Sequence, residues 1–178
     1  MSIRLFILGE LASEDNYPYM IKKKLLGSLP HENFIELTEG KFYYNFDALQ
    51  KKGYIQAIKV IHEKNRPDKT LYSITEAGRQ ALEQEIYDSF KKITNVKDLF
   101  IAIHLLKYVD TTKAAIFYEE TIQQEKKCWQ EYKEYKYKKQ NELPEIDRSA
   151  VFISDYAFSE AEFNIEWMEK LLAFIKSS

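Results

Sequence analysis

Residues 38–82 carry the local patterns from which the fold can be predicted, and they read TEGKFYYNFDALQKKGYIQAIKVIHEKNRPDKTLYSITEAGRQAL. Its first part spaces Phe42, Phe46 and Leu49 four and three residues apart, which predicts an amphipathic helix. Thr38 can cap the free amides of the first turn of this helix, and Gly53 ends it. The sequence therefore predicts a third helix near residues 38–52, after two shorter ones.

Two runs rich in β-forming residues, 54–61 and 69–74, follow the third helix. Residues 65–68, Asn-Arg-Pro-Asp, predict a turn between them, so the two runs form a β-hairpin. Thr75 then caps a further helix that carries Ala77, Ala81, Leu82 and Ile86.

The chain before residue 38 predicts two short helices. Leu5, Phe6, Leu8 and Leu11 mark the first, and the second starts at Pro18, where a missing N–H costs nothing. Gly27 and Pro30 end the second helix. Three helices, a hairpin and a helix follow the order of a winged helix-turn-helix domain, which we place at residues 1–90. The fold class is mostly α with a small β-hairpin.

Residues 91–178 carry long helical patterns dense in aromatic side chains. Leu99, Ile103 and Leu106 predict one helix, and Asp110 or Thr111 caps a second that continues to about Gln140. A last helix shows a wide apolar stripe that needs a partner within the chain and a second copy of the chain. The stripe includes Phe152, Tyr156, Phe163, Trp167, Leu171 and Ile175. We therefore expect residues 91–178 to form a helical dimerisation arm.

Composition excludes several classes of protein. The chain has 178 residues, 45% of them hydrophobic, and a formal net charge of −2, so any DNA contact has to be local. Eight basic residues against four acidic ones between Lys41 and Arg79 provide such a local excess, although a solvated mixed-charge face would look the same. No apolar run is long enough to span a bilayer, and the single cysteine fits a reducing compartment, so we expect a cytoplasmic protein.

The sequence contains no motif that predicts an enzyme active site. The three histidines, His31, His62 and His104, are far apart and lack metal-ligand spacing with Cys128. No nucleophile elbow and no phosphate-binding glycine loop is present. We expect no catalytic residue, metal or cofactor, and we expect Cys128, next to Trp129 on an apolar stripe, to lie in the core.

Several blocks of residues resemble the PadR family of transcriptional regulators. Ile7-Leu8-Gly9-Glu10-Leu11 resembles its opening helix, and Gly40-Lys41-Phe42-Tyr43 with Gly53-Tyr54-Ile55 resembles its recognition-helix signature. Residues 72–79, Tyr-Ser-Ile-Thr-Glu-Ala-Gly-Arg, resemble its closing strand and the helix that follows. Trp167 with Leu171 and Leu172 is similar to the last helix of the shorter PadR subfamily, which pairs across a dimer. The resemblance implies a winged helix-turn-helix regulator that binds double-stranded operator DNA as a homodimer.

The residues that we expect to contact DNA lie on the third helix and on the hairpin. The third helix of such a unit enters the major groove, and its outward positions include Lys41, Tyr43, Tyr44 and Asn45. The resemblance assigns the Tyr43 hydroxyl to the DNA backbone, while a core-edge aromatic is the alternative. In the wing, the cations that flank the turn are Lys64, Arg66 and Lys69.

Two functions stay open at this point. In the first, the protein is a repressor that binds its operator as a dimer through Phe163, Trp167, Leu171 and Ile175. A small aromatic effector, bound near Trp129, Tyr108 and Phe163, releases the DNA. In the second, the winged helix is a protein-interaction module without direct DNA binding.

Overall fold

The computed structural model describes residues 2–27, 38–61, 69–140 and 147–178. Within these ranges it is mostly helical, with one antiparallel hairpin. The helices are α1 (Ile3–Ser13), α2 (Pro18–Gly27), α3 (Glu39–Lys51), α4 (Glu76–Lys92), α5 (Phe100–His104), α6 (Thr111–Gln140) and α7 (Arg148–Lys176). The strands are β1 (Ile55–Ile61) and β2 (Lys69–Ile74). This confirms the predicted fold class and the helix-helix-helix-hairpin-helix order of a winged helix-turn-helix.

The bounds of α3 follow from its local sequence. The Thr38 hydroxyl accepts a hydrogen bond from the Lys41 amide at 3.2 Å, as an N-cap does. At the other end Gly53 takes a positive φ of 71°, which lets the chain reverse and the Tyr54 amide reach the Leu49 carbonyl at 3.0 Å. Helix and strand are therefore separated by a short, fixed turn.

The hairpin has the two predicted strands and, in addition, a β-bridge to Asn16. Its register pairs Ile55 with Ile74 and Ile61 with Lys69, and a bulge between Ala57 and Lys59 shifts the pairing by one residue. On its other edge β2 pairs with Asn16 through two backbone hydrogen bonds to Tyr72, each 3.0 Å long. The Tyr72 ring packs edge-on against Phe46, with ring centroids 4.8 Å apart. The hairpin is thereby attached both to the turn after α1 and to α3.

The junction between β2 and α4 depends on Thr75 and Gly78. The Thr75 hydroxyl accepts from the Gly78 amide at 3.1 Å and lies 2.6 Å from the Gly53 carbonyl oxygen, to which it donates. A Cβ on Gly78 would lie 2.0 Å from the Tyr54 carbonyl oxygen, so only glycine allows α4 to start this close to the third helix's exit. Arg79 then donates to the Ala12 carbonyl at 3.3 Å, which ties α4 to the end of α1.

The chain divides into two compact units. The first comprises Met1–Ile86 and Phe100–Val109, and the second comprises Tyr87–Leu99 and Asp110–Ser178. The boundary thus differs from the expected one at residue 90, because the last residues of α4 belong to the second unit and residues 100–109 return to the first. Ile101, Ala102 and Leu105 are buried there, and Leu105 packs directly on Gly9 of α1.

Because residues 100–109 belong to the first unit, the single helix predicted around Leu99, Ile103 and Leu106 is wrong. Leu99, Ile103 and Leu106 do not lie on a single helix. Instead, the short 3₁₀ helix Val96–Leu99 precedes α5, and the 3₁₀ helix Leu106–Tyr108 follows it. The chain leaves the second unit after Leu99 and re-enters it at Asp110, so a continuous helix cannot cover both places.

The core of the first unit is formed by α1 to α4, the hairpin and α5. Helix α1 is buried on almost every side, and α3 contributes Phe42, Phe46 and Leu49, all at most 2% exposed. Ile55 and Ile74 close the core from the hairpin. One face of α3 is therefore fixed inward, and its opposite face is left to solvent.

In the second unit α6 and α7 pack as an antiparallel pair. Three ion pairs cross between them at intervals of one heptad: Glu119 with Lys176 at 2.9 Å, Lys126 with Glu169, and Lys133 with Glu162 at 2.6 Å. As α6 advances by seven residues α7 recedes by seven, which defines the direction and the register. Asn164 of α7 also donates to the Thr94 carbonyl at 2.6 Å and accepts from the Val96 amide at 3.3 Å.

Candidate nucleic-acid interface

The outward residues of α3 lie where the sequence predicts them. Lys41 is exposed, and Tyr43 and Tyr44 are 42% and 73% exposed, whereas Asn45 is half-buried. Because Phe42, Phe46 and Leu49 fill the buried face of α3, the residues between them lie toward solvent. The first turns of α3 thus present a cation and two phenols to solvent.

Tyr43 combines a packed ring with an accessible edge. Its ring meets Phe42 edge-on, with centroids 5.5 Å apart and planes at 87°. The contact holds the ring while the side chain stays 42% exposed. Both roles considered for Tyr43, a core-edge aromatic and a hydroxyl that reaches phosphate, fit this placement.

Asn45 has a feature that the sequence does not reveal. Its Nδ2 donates to the Lys41 carbonyl one turn earlier, at 2.6 Å. One amide hydrogen is therefore used within α3, and the second hydrogen and Oδ1 stay available. Adenine is read by an amide through one donor and one acceptor, which matches what Asn45 has left.

The wing is only partly described. Lys64 and Arg66, like the predicted turn at 65–68, lie outside the described residues. Lys69 is the first residue of β2 and is half-buried. On β1 the exposed side chains include Lys59 and two apolar residues, Ile58 and Val60, which are 46% and 47% exposed.

Ion pairs account for part of the lysine run on α2. Lys22 pairs with Glu39 in the first turn of α3, and this lysine holds the pKa of the Glu39 carboxyl below its usual value. Lys24 binds both Glu10, at 2.9 Å, and Glu14, at 2.7 Å, and the pKa of its ammonium group is raised because both hydrogen bonds favour the charged form. Sequence reasoning missed these pairs, because their partners are 10 to 17 residues away along the chain.

The four residues expected at a dimer interface divide into two pairs. Phe163 and Trp167 are 62% and 45% exposed, whereas Leu171 and Ile175 are 7% and 1% exposed. The sequence predicts that the chain cannot cover all four by itself, and it covers two of them: Leu171 and Ile175 lie on the side of α7 that packs against α6. Cys128 is exposed, so the prediction that it lies in the core is wrong.

The three residues expected to line an effector pocket belong to separate clusters. Tyr108 lies in the first unit, where its hydroxyl donates to the Gly9 carbonyl at 3.3 Å. In the second unit Trp129 meets Phe158, with ring centroids 5.7 Å apart, while Phe163 meets Trp167 at 6.3 Å. Trp129 and Phe158 line an open groove of about 210 Å³ between α6 and α7, together with Lys126 and Lys133.

Within the described ranges, no group of three or more histidine, cysteine, aspartate or glutamate side chains could hold a metal ion. None of the helices in the described ranges combines the length and apolarity required to span a bilayer.

Comparison with known proteins gives a family. Residues 7–84 match the model of the transcriptional regulator PadR-like family, and these residues include most of α1, all of α2 and α3, the hairpin and half of α4. No curated protein matches the sequence.

Solved structures with similarity to the chain include three structures of two PadR regulators. A PadR family transcription regulator from Clostridium difficile is 23% identical, with 49% of this chain and 85% of that one covered and a TM-score of 0.40. Bacillus subtilis PadR in complex with operator DNA is 16% identical, with 97% and 98% covered and a TM-score of 0.39. The same regulator in complex with p-coumaric acid is 16% identical, with 98% of both chains covered and a TM-score of 0.38. All these TM-scores are low, so the assignment depends on the family match, which coincides with the winged helix-turn-helix elements seen here. Through residues 7–84, less than half of its length, the chain is similar to the PadR-like family of transcriptional regulators.

Proposed function

We propose that this protein is a transcriptional repressor that binds operator DNA in the cytoplasm as a homodimer. Helix α3 enters the major groove, and the wing contacts the phosphate backbone. The observation that carries the proposal is the division of α3 into a fully buried apolar face and an outward face with Lys41, Tyr43 and Tyr44.

The charges of the first unit support a local interface. Lys22 and Lys24 are engaged with carboxylates, so they add little free positive charge. The proposed phosphate contacts are Lys41, Lys64, Arg66 and Lys69. If each neutralises one phosphate in both subunits, eight contacts give a slope of log affinity against log salt of about −7.

The test is a binding titration with the DNA upstream of the protein's own gene, at several salt concentrations. Lys41→Ala and Lys69→Ala should each weaken binding to all sequences alike and reduce the slope by about two in a symmetric dimer. Lys97→Ala is the matched control, because Lys97 is an exposed lysine of the second unit. Equal slopes for all three variants and the wild type would contradict the proposed interface.

Dimer formation is tested separately from DNA binding. Phe163 and Trp167 leave a large aromatic area exposed on α7, which a second copy would cover. Light scattering at micromolar concentration should give twice the chain mass of 21.2 kDa. A mass of one chain would contradict this part of the proposal.

Release of the DNA by a small aromatic effector is the last part of the proposal. Within the second unit, the groove at Trp129 and Phe158 offers aromatic surface beside the Lys126 and Lys133 ammonium groups. An aromatic carboxylate that releases the DNA should quench the Trp129 fluorescence in Trp167→Phe protein. If a panel of such acids changes neither signal, this part is wrong.

A protein-interaction module is the second candidate function. It is favoured by Ile58 and Val60, which leave an apolar area exposed on β1. A protein partner held by that area would bind with little dependence on salt and would be lost in Ile58→Ser with Val60→Ser. The steep salt dependence expected for DNA separates the two candidates.

A further inference from the structure

Asp47 places a negative charge in the middle of the outward face of α3. The inward face is defined by Phe42, Phe46 and Leu49, which are buried. Tyr44 and Asp47 each lie two residues before one of these, which is about 200° around an α-helix. Both side chains are exposed, that of Tyr44 to 73%. Asp47 therefore lies on the surface that meets DNA in the proposed complex.

The Asp47 carboxylate is not engaged by the part of the chain that the structure describes. Among those residues no hydrogen bond or ion pair reaches it, and Lys51, one turn further along α3, does not pair with it. The Tyr72 hydroxyl donates to Gln50 at 3.4 Å instead. Burial raises the pKa of this hydroxyl, and the charge of Asp47 raises it further, so the field of the carboxylate extends beyond α3. As far as the described residues go, both Asp47 oxygens stay available to a group that lies against the helix.

A carboxylate on a DNA-binding face costs affinity unless the DNA offers it a hydrogen-bond donor. It is repelled by phosphates and by the acceptor edges of guanine and thymine in the major groove. Lys22 neutralises Glu39 at the start of the same helix, whereas no cation of the described ranges does this for Asp47. Only a donor on the DNA can then compensate the charge of Asp47.

The four bases differ in what they offer to a carboxylate. In the major groove cytosine presents its N4 amino group, which is a donor with no acceptor beside it on the same base. Adenine presents a donor next to an acceptor, which matches an amide rather than a carboxylate. An ionised aspartate has acceptors only, so cytosine is the base that fits Asp47.

We propose that Asp47 determines sequence specificity by accepting a hydrogen bond from the N4 amino group of a cytosine in each half of the operator. This contact rests on the proposed function and adds a base contact to the phosphate contacts of Lys41 and Lys69. Asp47 contributes discrimination rather than affinity, because its charge weakens binding to every sequence without a donor at that place.

Selection of binding sites from a random DNA library, followed by sequencing, measures this preference. The wild-type protein should select one position in each half-site at which cytosine is favoured about tenfold. Asp47→Ala should lose the preference at that position alone and bind random DNA more tightly, because a repulsive charge is removed. Asp47→Asn should shift the same position from cytosine to adenine, since an amide supplies one donor and one acceptor.

Glu83→Gln is the matched control. Glu83 is an exposed carboxylate of α4 in the first unit, and its loss changes the net charge of the protein by the same amount. The control should select the wild-type sequence. Both Asp47 variants should unfold at urea concentrations no lower than the wild type does, because Asp47 has no partner within the described ranges.

The results distinguish a failure of the Asp47 contact from a failure of the proposed function. A wild-type protein that selects no sequence would remove the regulator and the contact together. If the wild type selects a sequence and both Asp47 variants select the same one, the contact alone is overturned. Tighter binding of the variants to all sequences with unaltered preference would also overturn it, since Asp47 would then only repel phosphates.

Discussion

Replacement of Gly78 by alanine is the sharpest test of how the winged helix is held together. The new Cβ would lie 2.0 Å from the Tyr54 carbonyl oxygen, while real Cβ contacts stay beyond about 3.0 Å, so the start of α4 has to retreat by about 1 Å. That oxygen accepts the Thr75 amide at 3.0 Å, a bond that the retreat stretches.

The change in the free energy of unfolding caused by Gly78→Ala is the sum of opposing contributions. Overpacking a close contact costs about 1–3 kcal/mol, and each weakened hydrogen bond about 1 kcal/mol. Alanine returns at most about 1 kcal/mol through its better helix propensity. We therefore expect Gly78→Ala to lower the free energy of unfolding by about 1–3 kcal/mol in urea titrations followed by circular dichroism.

Gly40 of α3 provides the matched control. A Cβ there meets nothing within 4 Å, so Gly40→Ala should stabilise by up to about 1 kcal/mol. Opposite signs for two glycines in the first turns of two helices would confirm the close approach. A Gly78→Ala protein as stable as the wild type would refute it.

Three further predictions concern single side chains. Tyr43→Phe should keep the fold and cost about 1–2 kcal/mol of DNA affinity in anisotropy titrations, because only the hydroxyl is lost; unchanged affinity would assign Tyr43 to the core edge. Trp167→Ala should weaken the dimer by about 2–4 kcal/mol in sedimentation, and an unaltered dimer would exclude Trp167 from the interface. Burial raises the pKa of the Tyr118 hydroxyl far above its usual value, so ionisation favours the unfolded chain and stability should fall as pH rises above about 10. In Tyr118→Phe this alkaline loss should shrink, and a loss equal to the wild type's would contradict the assignment.

Local sequence signals were sufficient to predict the helices and the hairpin of the winged helix-turn-helix in the first unit. The caps at Thr38 and Thr75 and the positive φ at Gly53 act over a few residues, so α3 and the two strands begin and end, and α4 begins, near the predicted positions. The outward face of α3 was predictable for the same reason, since Phe42, Phe46 and Leu49 define the inward one.

Contacts distant in sequence were not predictable. The strand-like bridge of Asn16 to Tyr72 and the ion pair of Lys22 with Glu39 join segments that only the fold brings together. The same holds for Leu105 on Gly9, which draws residues 100–109 into the first unit and breaks the predicted helix.

Sequence patterns were enough to predict a winged helix-turn-helix and a last helix with more apolar surface than one neighbour can cover. Which part of that surface is buried within the chain depends on how α7 packs. Leu171 and Ile175 pack on α6 while Phe163 and Trp167 stay exposed, although all four lie at helical spacing on α7. Periodicity shows how wide an apolar face is, but burial depends on which helix lies against it, and α6 lies against the side of α7 that carries Leu171 and Ile175.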